Sequence, residues 1–180
     1  MKTFTRARLG LSTLCLALSL ALAQSPVPQP SLEALKGIDA VRAMELANAW
    51  GVAKAPVQSF VTPQAVNFEI GGRKAQVALP ADRMVVAVAP YVSRTHPCKT
   101  HYMSACQGEL AGTLVEVRVT QGGKEILKGT VKTLENGFLE LWLPRDQTYQ
   151  LTVRAKGLSA TGLISTFATS DTCVTTFQLK

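Results

Sequence analysis

From Val66 to the C-terminus, apolar residues recur at every second position in short runs separated by turn residues. That period puts alternate side chains on opposite faces of a strand, whereas a helix needs repeats at three and four. Val66, Phe68 and Ile70 alternate with Asn67 and Glu69; Gly71-Gly72 turns the chain; Ala75, Val77 and Leu79 alternate again up to Pro80. Met84 to Ala89 is instead continuously apolar, as in a strand covered on both faces. Val115, Val117 and Val119 alternate before Gly122-Gly123, and Glu125 to Lys132 returns. Asn136-Gly137 reads as a hairpin turn ahead of Phe138 to Leu143. Tyr149 to Val153, Leu158 to Phe167 and Cys173 to Leu179 complete roughly eight short strands with frequent turn signals. The pattern predicts an α+β, mostly β chain. An antiparallel β-sandwich or barrel-like domain over residues 63–180 follows a short helical segment.

Two stretches of different character precede the strands. Lys2, Arg6 and Arg8 lead into an apolar run from Leu9 to Leu22, and Ala21-Leu22-Ala23 is a small-x-small cleavage site. Residues 1–23 therefore read as a signal peptide cut after Ala23. The run falls short of the ~18 apolar residues of a spanning helix, as does every later one, so the exported chain is expected to lack a membrane segment. Residues 24–62 contain a linker with Pro26, Pro28 and Pro30, then helical material. Ser31 is placed to cap a helix from Leu32, which Gly37 interrupts; Asp39 is placed to cap a second helix to about Trp50, which Gly51 ends. Ala55 to Gln64, with Pro56 and Pro63, reads as a connector. Removing the three basic leader residues lowers the formal charge from +7 to +4, and no basic run exceeds Arg73-Lys74. Nucleic acid is thus not an expected partner.

The soft ligands are unevenly distributed. Both histidines, His96 and His101, lie with Cys98 and Cys106 between Arg94 and Gly108, while Cys173 stands near the C-terminus and Cys15 leaves with the leader. Three cysteines remain, an odd number in an oxidising compartment. Cys98, His101 and Cys106 form a C-x2-H-x4-C spacing that Cys173 can complete, with His96 and Met103 close enough to act as outer ligands. Thiolate and imidazole together select copper and zinc. No carboxylate enters before Glu109, which disfavours calcium and magnesium, and three thiolates are one short of an iron–sulfur cluster. A closed Cys3His zinc site would be structural. The adjacent Met103 and an ample apolar core favour copper, held as Cu(I), and two of the thiols can reduce Cu(II) while forming a disulfide. Two other readings stand beside this one: a thiol–disulfide redox protein using Cys98 and Cys106, and an interaction domain stabilised by structural zinc or a disulfide. Nothing marks an enzyme, since paired carboxylates, a phosphate loop and an assignable third partner for a Cys/His pair are all missing.

Several blocks together resemble the CueP family of periplasmic copper-binding proteins. They are Ala89-Pro90-Tyr91-Val92, Thr95-His96-Pro97-Cys98, Cys106-Gln107-Gly108-Glu109-Leu110, Asn136-Gly137-Phe138, Leu141-Trp142-Leu143-Pro144-Arg145 and Thr172 to Leu179, spread over residues 66–180. The resemblance implies a periplasmic copper-resistance protein that binds copper through three cysteines, which fall here on Cys98, Cys106 and Cys173. It also implies Cu(II) reduction, handover to exported copper-requiring proteins, and a homodimer. His101 ranks above His96 as an added ligand on spacing.

Overall fold

The computed structural model describes residues 27–180; the expected leader and its expected cleavage site lie outside the described residues. One helix, α1 (Ala40–Val52), precedes ten strands: β1 (Val57–Val61), β2 (Ala65–Ile70), β3 (Arg73–Ala78), β4 (Arg83–Val88), β5 (Leu114–Gln121), β6 (Lys124–Lys132), β7 (Leu139–Pro144), β8 (Thr148–Ala155), β9 (Leu158–Ser165) and β10 (Cys173–Val174). They form three sheets, ordered β1-β2-β3, β10-β4-β7 and β6-β5-β8-β9. The arrangement is sandwich-like and closes no barrel. Pairing is antiparallel except for β10, which runs parallel to β4.

Apolar burial explains the layering. Val115, Val117 and Val119 of β5 and Tyr149, Leu151 and Val153 of β8 all point inward, with polar residues between them facing water. Met84 to Val88 are fully buried, so β4 is covered on both faces, as its continuous apolar run requires. Helix α1 starts at Asp39, whose Oδ1 accepts the Arg42 N–H at 2.8 Å. Its Ala40, Ala43 and Ala47 allow close approach, and Trp50 packs edge-on to Phe68 with ring centroids 5.8 Å apart.

Five local expectations give way to tertiary context. The segment after Ser31 makes only a 3-10 turn over Glu33–Leu35, because Gly37 at φ +70 leaves the helical region. Residues between Pro56 and Pro63 are not a connector but strand β1, the two prolines lying outside its flanks where no ladder donor is lost. Asn136-Gly137 turns the chain without making a hairpin, since β6 pairs with β5 and β7 with β4. The last segment is a regular strand only over Cys173–Val174; the Thr175 carbonyl accepts the Thr95 hydroxyl at 2.9 Å instead of a ladder donor, and pairing resumes only as a single parallel bridge between Gln178 and Tyr91. Gly51 does not end the helix. It lies inside α1, and a Cβ there would sit 2.2 Å from the Met103 carbonyl oxygen.

That contact joins helix to cysteine loop through backbone atoms that cannot swing aside. At an unconstrained helix position glycine to alanine gains about 1 kcal/mol. Here Gly51→Ala is expected to destabilise the protein by about 1–3 kcal/mol, as overpacking does. Urea unfolding checks this: the midpoint should fall, and a rise would refute the close approach.

Candidate metal centre

The site begins with β4. Cys173 of β10 pairs with Ala87 on one side of this central strand, and Glu140 of β7 pairs with Ala87 on the other. Residues in one row across a sheet project to the same face, so the thiol and the carboxylate flank a methyl group that leaves them room. Ala87, Ala89, Cys106, Phe138 and Cys173 form a small buried cluster separate from the main core, with Cys98 and Tyr102 packed on it. Met103 is buried too, but in the main core that α1 also joins.

Backbone hydrogen bonds fix the loop against this base. The N–H groups of Thr172 and Cys173 both donate to the Lys99 carbonyl, at 2.9 and 3.0 Å. The Thr172 hydroxyl accepts the His101 N–H at 3.1 Å and donates to the Val61 carbonyl at 2.7 Å, while the Val61 N–H donates to the His101 carbonyl at 2.9 Å. Strand β1 therefore holds His101 in place. Tyr102 closes the loop's last turn: its carbonyl accepts the Cys106 N–H at 2.7 Å, and its own N–H donates to Cys106 Sγ at 3.4 Å. At the loop's exit Gly108 lies against Gly137, where a Cβ on either would come within 2.8 Å of the other's backbone. At its start Glu109 Oε2 accepts three N–H groups, from Val92, Ser93 and Arg94, at 2.8, 2.9 and 3.1 Å.

The result is a cluster of soft donors. Cys98 and Cys106 Sγ are 3.6 Å apart, and none of Cys98, Cys106 and Cys173 is in a disulfide. The donor atoms of His101, Cys106 and Cys173 lie within 4.8 Å of one another, as do those of His96, Cys98 and Cys106. His101 is fully buried, its ring centroid 4.4 Å from that of Phe138. Neither ring nitrogen has a hydrogen-bond partner among the described residues. A buried imidazole in that condition forfeits its hydration, and it faces the thiols. Behind it, Glu140 Oε1 is 3.8 Å from His101 Nε2 and accepts Asn48 Nδ2 at 2.7 Å; Asn136 Nδ2 donates on to Asn48 Oδ1 at 3.2 Å.

Charge is divided unevenly among the thiols. Cys106 is pulled well below the usual thiol range, chiefly by the Cys173 hydrogen bond, then by the neighbouring His101 ring and the Tyr102 N–H. Cys173 is pushed up by donating to Cys106 and by burial. Cys98 is raised to about 11 by burial and by the nearby Cys106 charge. One thiolate at Cys106, solvated by its neighbours, is the resting state this geometry supports. Burial also raises the Glu140 carboxyl, against the Asn48 hydrogen bond and the His101 ring.

The four residues expected at the site, Cys98, His101, Cys106 and Cys173, converge in space, with His96 at the outer side. Glu140, Asn48, Thr172 and Glu109 were not singled out from sequence. Glu140 carried one usable signal: as an acid on the same strand face as Phe138 and Trp142, it occupies an otherwise apolar stripe. Asn48, a helical residue far from the loop in sequence, carried none.

Residues 40–178 match the family described as the periplasmic copper-binding protein CueP. Among solved structures, one described as the crystal structure of S.CueP is similar, with a TM-score of 0.76 at 29% identity over 82% of this chain and 92% of that one. No curated protein matches the chain.

Glu109 gives the loop a pH dependence. The N–H groups of Arg94, Ser93 and Val92 hold its carboxyl below the ordinary 4.5. The anchoring it contributes is therefore complete above pH 4.5 and is lost as pH falls through the lower folded value. Amide proton shifts of Val92, Ser93 and Arg94 should titrate with a midpoint below 4.5, and Glu109→Gln should abolish that titration. A midpoint at or above 4.5 would contradict the anchor.

Proposed function

The chain belongs to the CueP family of periplasmic copper-binding proteins, and we propose that it sequesters or delivers Cu(I) through Cys98, Cys106 and Cys173, with His101 as an added donor. The observation that carries this reading is the convergence of three free thiols with a fully buried, unpartnered imidazole. Thiolates are the preferred ligands of Cu(I), and a low coordination number suits a site with few donors and little room for water. The alanines of β4 and the Phe138 ring exclude solvent around the sulfurs, which protects the bound ion from oxidation and hydrolysis. Glu140, held by Asn48, places a carboxylate oxygen 3.8 Å behind His101 Nε2, beyond hydrogen-bond length, where it favours positive charge on the ring. The reading includes export, with the leader removed after Ala23, and no helix among the described residues is long and apolar enough to cross a membrane.

The 3.6 Å separation of Cys98 and Cys106 favours a second capacity of the same thiols. Two Cu(II) ions can take one electron each as the Cys106 thiolate and the Cys98 thiol join in a disulfide, leaving two Cu(I) and releasing the Cys98 proton. An external reductant would then have to restore the pair. A zinc site remains the competing occupant, because the same donors suit it.

Competition with a chromophoric Cu(I) chelator tests the reading under reducing conditions. Cys106→Ser and Cys173→Ser should each weaken Cu(I) binding by about a hundredfold or more, beyond what loss of a supporting residue costs. A Cys173→Ser protein that binds as tightly as wild type would refute the three-thiolate site, and stoichiometric zinc that Cu(I) cannot displace would refute copper as the cargo.

A further inference from the structure

The donors fall into two overlapping triads that differ in depth. His101, Cys106 and Cys173 are all buried, whereas His96 and Cys98 of the second triad are only partly covered and Cys106 is common to both. In each triad all three donor atoms lie within 4.8 Å of one another. The outer triad comes entirely from the loop between His96 and Cys106, and the inner one needs Cys173 from β10 and the ring of His101 beneath.

A single-position site leaves His96 unexplained. It is only partly covered, within 4.8 Å of the Cys98 and Cys106 sulfurs, and Pro97 next to it is exposed. An ion arriving from water, or from the ligands of another protein, meets His96 and Cys98 before it can reach Cys173. Because Cys106 belongs to both sets, an ion can pass between them without ever losing its bond to Cys106.

We propose that the cluster is a two-position relay: His96, Cys98 and Cys106 form an outer landing site for a soft monovalent ion, which then pivots on Cys106 to the inner ligands. The proposal rests on the Cu(I) reading above and deepens it. In the inward step the bond from the ion to Cys106 Sγ persists, the bonds to the His96 nitrogen and Cys98 Sγ break, and bonds to Cys173 Sγ and a His101 ring nitrogen form. The Cys173 thiol gives up its proton as the ion binds, the released Cys98 thiolate takes one up, and no electron moves. Both sets offer two sulfurs and one imidazole nitrogen, and the inner one differs in that all three of its residues are buried away from water. The outer position matters in transit, where exchange by stepwise ligand replacement avoids a bare ion inside the core.

X-ray absorption of the reduced, Cu(I)-loaded protein tests the outer site directly. With the inner set broken by Cys173→Ser, copper should be held by two sulfurs and one nitrogen. That nitrogen should vanish on adding His96→Ala and persist on adding His101→Ala. Its persistence in the His96→Ala double variant, or its loss only with His101→Ala, would overturn the outer site. Since Cys173 is buried, a second measurement avoids changing the core. Stopped-flow loading of the otherwise native protein from a Cu(I)–chelator complex should slow by about tenfold or more in His96→Ala, a loss of the size one supporting ligand brings. An unchanged loading rate would overturn the relay. Failure of the wild-type protein to take up Cu(I) would instead refute the copper reading itself, so the two failures are distinct.

Discussion

The Lys99 carbonyl accepts hydrogen bonds from two successive N–H groups, those of Thr172 and Cys173, and the donor set is assembled by that junction. It ties the loop to a chain end that His101 and Thr172 show to be 71 residues away in sequence. Thr172 adds a side-chain link to the same junction, bonding His101 on one side and Val61 of β1 on the other. Strand β4 supplies the platform, since Ala87 and Ala89 donate to the carbonyls of Thr172 and Val174. The sulfur positions are thus set by main chain, which has little freedom left to lose when an ion binds.

The same arrangement is costly for the fold. A core this size would be more stable with apolar residues where His101 and Glu140 stand, because a buried imidazole without partners and a desolvated carboxyl both oppose folding. Asn48 and Asn136 offset part of the cost by bonding the carboxylate and each other. Helix α1 is therefore part of the site's support: it supplies Asn48, and through Gly51 it lies directly on the Met103 backbone of the loop. The Gly108–Gly137 contact does the same for the loop's exit, bringing the turn before β7 against the chain just after Cys106. Small residues appear wherever two backbones must touch to hold the donors still.

Uneven ionisation follows from this packing and suits the proposed chemistry. Cys106 is surrounded by donors and so carries the charge first, while Cys98 and Cys173 stay protonated until an ion displaces their protons. The other two thiols then come in as their protons are exchanged for metal.

The β character and the doubly covered β4 could be read from the chain, because period-two burial is a local property of residues. Cys98, His101 and Cys106 share one loop, so their proximity needed no fold. Turn and strand ends were less legible: Asn136-Gly137 looks the same whether the strands beside it pair with each other or part to separate sheets, and Pro56 and Pro63 look the same at the flanks of a strand as within a linker. Gly51 reads as a helix stop because its conformational freedom is visible in sequence and its contact with Met103 is not. The placement of Cys173 beside Ala87, of Glu140 and Asn48 behind His101, and of Met103 in the main core was decided only by tertiary packing. Those relations depend on strand register and on segments far apart in the chain, which no local pattern encodes.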